Sequence, residues 1–107
     1  MTYDEHLARR VRDALDDDID EKKMFGGIAF MLDGNMAVGV SGDDLMVRVG
    51  NDDVDDAVVL NDVRPFDMSG KRMSGWVLVG GEAIAEDDGL AHWIDVGMEF
   101  AGTLPAK

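Results

Sequence analysis

The sequence predicts an α+β domain in the order α-β-β-β-α-β-β-α, with antiparallel groups of strands and the helices gathered on the sheet. Three observations predict it. Residues 24–49 form three short apolar runs separated by two turn signals, Asp33-Gly34 and Ser41-Gly42-Asp43-Asp44. Near the C-terminus, Leu90, Trp93, Ile94, Gly97, Phe100, Ala101 and Leu104 recur by threes and fours, the spacing of one helix face. The chain of 107 residues, 46% of them apolar, is sized for one core, so a single domain over 1–107 is expected.

Taken in order, the chain opens with Thr2-Tyr3-Asp4-Glu5, which has the form of a capping box. Leu7, Val11, Ala14 and Leu15 follow at helical spacing, which predicts a helix over 3–15. Asp16, Asp17 and Asp18 then meet the negative end of the helix dipole and help to stop it. Asp16, Asp18 and Asp20 resemble the start of a calcium loop. The match fails, because Glu21 stands where a glycine is required and Gly27 where a bidentate glutamate is required. The run therefore reads as a solvated acidic linker. The first strand is expected over 24–32. Glycine weakens a strand interior, so Gly26-Gly27 marks a bulge, a close crossing by a helix, or a place where a ligand or partner backbone approaches.

Asp33-Gly34 is a two-residue hairpin turn. In the return strand Met36, Val38 and Val40 are expected on one face. Ala37 and Gly39 take the other, leaving room for a helix. Leu45, Val47 and Val49 share a face of the third strand, with Arg48 opposite. Asn51-Asp52-Asp53 starts a short helix that ends near Leu60. Residues 63–67 are extended, since the residue before Pro65 avoids the helical region. The last strand spans 73–79 and stops at Gly80-Gly81, and Asp87-Asp88 caps the final helix.

Composition excludes several functions. The chain has no cysteine, so disulfides, thiolate zinc sites and cysteine nucleophiles are ruled out, and a cytoplasmic location is the simple reading. No apolar run reaches the roughly 20 residues that span a bilayer, and the polar N-terminus has no signal-peptide core, so no membrane role is expected. Ten Lys and Arg against 23 Asp and Glu give a formal charge of −13. That balance disfavours direct nucleic-acid binding, which needs a concentrated basic face. The acids are dispersed through turns, helices and loops. They read as a solvated surface whose self-repulsion a high-salt cytoplasm would screen, or as a surface for a basic partner.

Candidate chemistry is sparse. His6 and His92 lie off the apolar stripes of opposite terminal helices, and neither has a second histidine one turn on for a metal. No phosphate loop or nucleophile elbow is present, so no cofactor is expected. Arg48, Arg64, Lys71 and Arg72 fall on or beside strands and would converge near Trp76 if the last strands pair beside the third. They form either an anion or carboxylate site or a set of internal ion pairs with aspartates. Met46 and Met98 fall off the main apolar faces and mark a candidate exposed patch, either a homodimer seam or a contact for a protein partner.

Lys23-Met24-Phe25-Gly26-Gly27-Ile28-Ala29-Phe30, the hairpin Asp33-Gly34-Asn35 and Leu45-Met46-Val47-Arg48-Val49 resemble the N-terminal domain of the TfoX/Sxy proteins. Arg64-Pro65-Phe66, Ser74-Gly75-Trp76-Val77-Leu78-Val79 and the terminal helix with Trp93 extend the resemblance over almost the whole chain. It implies an α+β fold of the secretion-chaperone-like type, with a curved antiparallel sheet and flanking helices. Full-length members regulate competence genes, with a cyclic-AMP receptor protein at promoters, and carry a second, C-terminal domain. Here the chain ends at Lys107 after the third helix, so a stand-alone N-terminal domain is expected. The resemblance implies a non-enzymatic protein-interaction or regulatory module. The alternative is a small-ligand or anion-binding protein or enzyme using Arg48, Arg64 and Trp76, with Gly26 and Gly27 as further contact positions.

Screening of the aspartates makes one prediction. The thermal midpoint should rise steadily from low to molar salt. A midpoint that stays level across that range contradicts self-repulsion as the meaning of the charge.

Overall fold

The computed structural model describes residues 3–15, 19–24, 27–60, 62–68 and 71–105. Its elements are α1 (Glu5–Ala14), β1 (Asp20–Met24), β2 (Gly27–Leu32), β3 (Asn35–Ser41), β4 (Asp44–Arg48), α2 (Val54–Val58), β5 (Val63–Met68), β6 (Lys71–Val79) and α3 (Asp87–Gly102). A 3₁₀ turn, Gly81–Ala83, leads into α3. The strands form one antiparallel sheet in the order β1-β2-β3-β4-β6-β5. The expected antiparallel α+β architecture with flanking helices is what the chain adopts.

One strand exceeds the expected order. β1 reads Asp-Glu-Lys-Lys-Met and pairs with β2 from Asp20↔Met31 to Met24↔Gly27. Its residues 20–23 are exposed, so burial imposes no apolar alternation on it. Charges on an edge strand discourage a second chain from pairing there. The opposite edge, β5, carries Pro65, which has no N–H to offer a neighbour. Thr2, Gly26 and the acidic run 16–18 lie outside the described residues. The described cap of α1 is Asp4, whose carboxylate accepts from the N–H groups of His6 and Leu7 at 2.8 and 3.2 Å.

The three helices share one face of the sheet. Leu7, Ala8 and Val11 of α1, Ala57 of α2 and Leu90, Trp93 and Ile94 of α3 close over Ile28, Phe30, Val38, Val40, Leu45, Val47, Val63, Val77 and Val79. Full burial of side chains such as Phe30, Leu45 and Ile94 contributes ~1.5–3 kcal/mol each. At Gly97, α3 packs tightly on the sheet. A Cβ there would lie 2.5 Å from Val38 Cγ1 and 2.6 Å from the Ala37 carbonyl oxygen.

The return strand departs from the expected alternation. Phe30 pairs with Val38 and Met31 with Met36, so Ala37 is an extra residue in β3. The bulge moves Met36 off the face of Val38 and Val40 and onto the opposite one, beside Met46. Gly39 does not receive a helix. The methyl groups of Met46 and Met36 fill its gap, at 2.5 and 3.0 Å from where a Cβ would stand. The hairpin turn itself is as expected, with Asp33 and Gly34 both at positive φ, 52° and 84°. Beside it the buried Asn35 donates from Nδ2 to the Pro105 carbonyl at 2.9 Å, which fastens the tail that follows α3.

α1 is tied to β1 by a two-pronged ion pair, Arg12 Nε and Nη2 to the Glu21 carboxylate at 2.6 and 2.7 Å. The Arg12 hydrogen bonds hold the Glu21 carboxyl below its ordinary value of 4.5. A lowered carboxyl adds stability above that value and loses it as pH falls through the folded-state value. Both groups are partly solvated, so the contribution is below about 1 kcal/mol.

Two measurements check this packing. Gly97→Ala should destabilise by about 1–3 kcal/mol in urea denaturation, although alanine is elsewhere the better helix residue by roughly 1 kcal/mol. A neutral or stabilised variant would show that α3 does not sit so close to β3. Glu21→Gln should lower the midpoint at pH 7, and the gap to the parent should close as pH drops below 4.5. A gap independent of pH would mean that the ion pair is not its source.

Candidate functional site

The sheet face away from the helix core carries Arg48, Arg64 and Trp76. Along β4 the residues alternate, so Asp44, Met46 and Arg48 share this face while Leu45 and Val47 enter the main core. Arg48 stands directly across from Trp76 on β6, as the expected convergence requires. Arg64 is the partner of Leu78, two residues further along the same strand. Met46, Phe66 and Trp76 form a small apolar cluster, with Met36 and Leu78 half-buried against it. The strand positions of Lys71 and Arg72 pair with Met68 and Asp67, and their side chains lie outside the described residues.

The two central arginines do different things. Arg64 makes an ion pair with Asp44, spanning the strand between them. Arg48 is half-buried, and its guanidinium carbon lies 5.7 Å from the Trp76 ring centroid and 5.8 Å from that of Phe100. Such stacking is worth roughly 0.5–1 kcal/mol when exposed and about 2 when desolvated. Its Nη1 reaches the Met36 carbonyl at a long 3.4 Å, and among the described residues no carboxylate pairs with it. The ion-pair expectation thus describes Arg64, and a cation held between two aromatic rings describes Arg48.

Phe100 is the partner that sequence reasoning did not connect to Arg48. It reaches the end of β4 because Gly50 makes room, in a chain path that Gly75 helps to hold. Gly75 at φ 85° lets its carbonyl accept from both Val49 and Gly50, at 2.8 and 3.0 Å. Gly50, at φ 89°, leaves space for the Phe100 ring, whose Cε1 would lie 2.5 Å from an added Cβ. Gly50 directly after a strand, with a phenylalanine on the last turns of the α3 stripe, was the available signal.

Gly27 opens β2 with the Val40 carbonyl oxygen occupying the space of its missing side chain. Met46 is not an exposed patch. It is 1% exposed, because Gly39 leaves a recess for it and the bulge swings Met36 alongside. Met98 is half-buried against the main core. His6 and His92 are exposed as expected, and His92 meets Trp93 edge-on at 5.3 Å. Among the described residues the exposed large apolar side chains are Val59 and Leu60, just after α2.

Among the grooves of the described surface, three bear on the site. The first, ≈ 350 Å³, runs between α1 and α3 past Arg10, Asp13, Asp87 and Leu90, and an Arg10–Asp87 pair of 3.2 Å lies in it. The second, ≈ 370 Å³, lies between the C-terminal half of α3 and the segment joining β4 to α2, lined by Val49, Asp53, Val96, Glu99, Phe100 and Thr103. The third, ≈ 160 Å³, follows β1 past Asp20, Lys22 and Met31. Arg48, Arg64 and Trp76 line none of these three. Among the described residues no three His, Asp or Glu side chains gather as metal ligands. No described helix is long and apolar enough to cross a membrane.

Comparison with known proteins returns one finding. No curated protein and no solved structure matches the chain. The profile of the TfoX N-terminal domain matches residues 7–101, from the first buried leucine of α1 to the last buried alanine of α3. The match takes in every described strand, the Gly27–Phe30 segment, the Arg48–Trp76 pair and Phe100. The chain therefore belongs to the TfoX N-terminal domain family.

Proposed function

We propose that this competence-regulator-like domain is a cytoplasmic regulatory module that works by binding another protein and carries out no chemistry of its own. The observation that carries the reading is the employment of four of its six arginines. Arg10 joins α1 to Asp87, Arg12 joins α1 to β1, and Arg64 joins β5 to β4. Arg48 is held between Trp76 and Phe100. These four cations are taken up within the domain, Arg9, Lys22 and Lys23 are exposed, and the balance over the chain stays strongly acidic at −13. A surface of that sign suits a basic protein partner and repels a phosphate backbone. The charged β1 edge and the proline of β5 disfavour strand pairing between two copies, which favours a different protein over a homodimer.

One observation favours a second reading, an anion or small-ligand site at Arg48 and Trp76. Arg48 keeps donors that no described carboxylate takes up. Trp76 lies against its guanidinium and reports on it. Titration with inorganic phosphate and with acetate, followed by tryptophan fluorescence, separates the two. The interaction-module reading predicts no saturable change. A saturable change that disappears in Arg48→Ala with Arg64→Ala, in a variant that still folds, would establish the anion site instead. Affinity purification from the native organism at its own salt level tests the main reading. It predicts recovery of a stoichiometric protein partner, a transcription factor above all. Recovery of none would overturn it.

A further inference from the structure

We propose that the groove beside the C-terminal half of α3 receives an apolar side chain from a cationic segment of the partner protein, with Lys or Arg of that segment set against Asp53 and Glu99. This rests on the interaction-module reading and adds a place and a chemistry to it.

The groove has an apolar floor. Val49 is 4% exposed, and Val96 and Phe100 are half-buried beside it. Its volume of ≈ 370 Å³ is at the lower end of the roughly 300–1,000 Å³ of ligand sites, ample for one large apolar side chain. Thr103 offers no free donor to a ligand, because its hydroxyl donates to the Phe100 carbonyl at 2.6 Å.

The rim is acidic and unopposed. Asp53 and Glu99 are exposed on either side of the floor. Between Val49 and Val63 the chain carries Asp52, Asp53, Asp55, Asp56 and Asp62 and no lysine or arginine. From Asp87 to Gly102 it again carries neither. Arg48 touches Phe100 but does not line the groove.

Placement on the helix sharpens the case. Asp95 and Glu99 lie in the C-terminal half of α3, whose last turn has no basic residue. Acids there oppose the helix dipole, whose negative end favours cations. The domain keeps this unfavourable arrangement beside an apolar hollow. A cation placed over Glu99 would reverse the sign of the interaction, and an apolar side chain would cover the floor. A neutral or acidic segment satisfies only one of these demands, and a polar cationic one only the other.

Fluorescence anisotropy with a dye-labelled peptide tests it, the probe being a single leucine flanked by lysines. The parent domain should bind this peptide and not its glutamate-for-lysine counterpart. Replacing the leucine by glycine should weaken binding about tenfold or more, the equivalent of burying one leucine side chain. Asp53→Asn with Glu99→Gln should weaken it about tenfold, two surface pairs acting together. Asp53 stands at the N-cap of α2 without a side-chain cap hydrogen bond, and asparagine is as well accepted there, so the fold is kept. Asp13→Asn with Asp20→Asn removes the same charge elsewhere and should leave binding unchanged. Equal weakening in that control, indifference to the leucine, or no binding by the parent overturns the groove. If the parent fails to bind while affinity purification still recovers a partner, the groove alone falls. If both fail, the interaction reading falls with it.

Discussion

The approach of α3 to β3 at Gly97 is the contact on which the rest of the domain depends. A single missing side chain lets the helix backbone settle over Val38 and the Ala37 carbonyl. That depth brings Leu90, Trp93 and Ile94 into the main core and holds Ala101 buried further along. It also carries Phe100 to the end of β4, where Gly50 admits the ring and Arg48 stacks on it. The groove beside Val96 and Glu99 is the outer margin of the same placement. A helix standing further off would lose the core contacts, the cation stack and the groove together.

The sheet is specified differently on its two faces. On the helix side, alternation and burial agree, and the pattern of Leu45, Val47 and Val49 could be read directly from the residues. On the other side, alternation brings Met46, Phe66 and Trp76 together, and a bulge at Ala37 adds Met36 to them. Bulges of this kind re-aim side chains without changing strand identity. They are why Met36 and Met46 meet, and why Gly39 is lined by methionine and not by a helix.

These differences explain what was legible in the sequence. The meander, the Asp33-Gly34 turn and the stripe of α3 each carry a strong local signal, since the periodicity of a buried face lies in neighbouring residues. β1 carries none, because an exposed edge strand of Asp, Glu and Lys looks like linker until its partner is known. Arg48 opposite Trp76 could be anticipated from strand order alone. Its second ring, Phe100, comes from the far end of the chain, and only the glycine that admits it left a trace. The fate of Arg64 turned on Asp44, one of many aspartates that composition could not single out. Membership of the TfoX N-terminal domain family was readable because the Gly27–Phe30 segment and the later strands lie in fixed order along nearly the whole match.

Native-state hydrogen exchange tests the central dependence most directly, because it reports the opening free energy of each element separately. If α3 and the middle of the sheet stand or fall together, the amides of Val38, Val40, Leu45, Val47 and Ile94 will exchange only through global unfolding. Those of β1 will exchange through smaller openings at the edge. Exchange of the Ile94 and Ala101 amides through a partial opening, while the amides of β3 and β4 stay protected, would contradict the account.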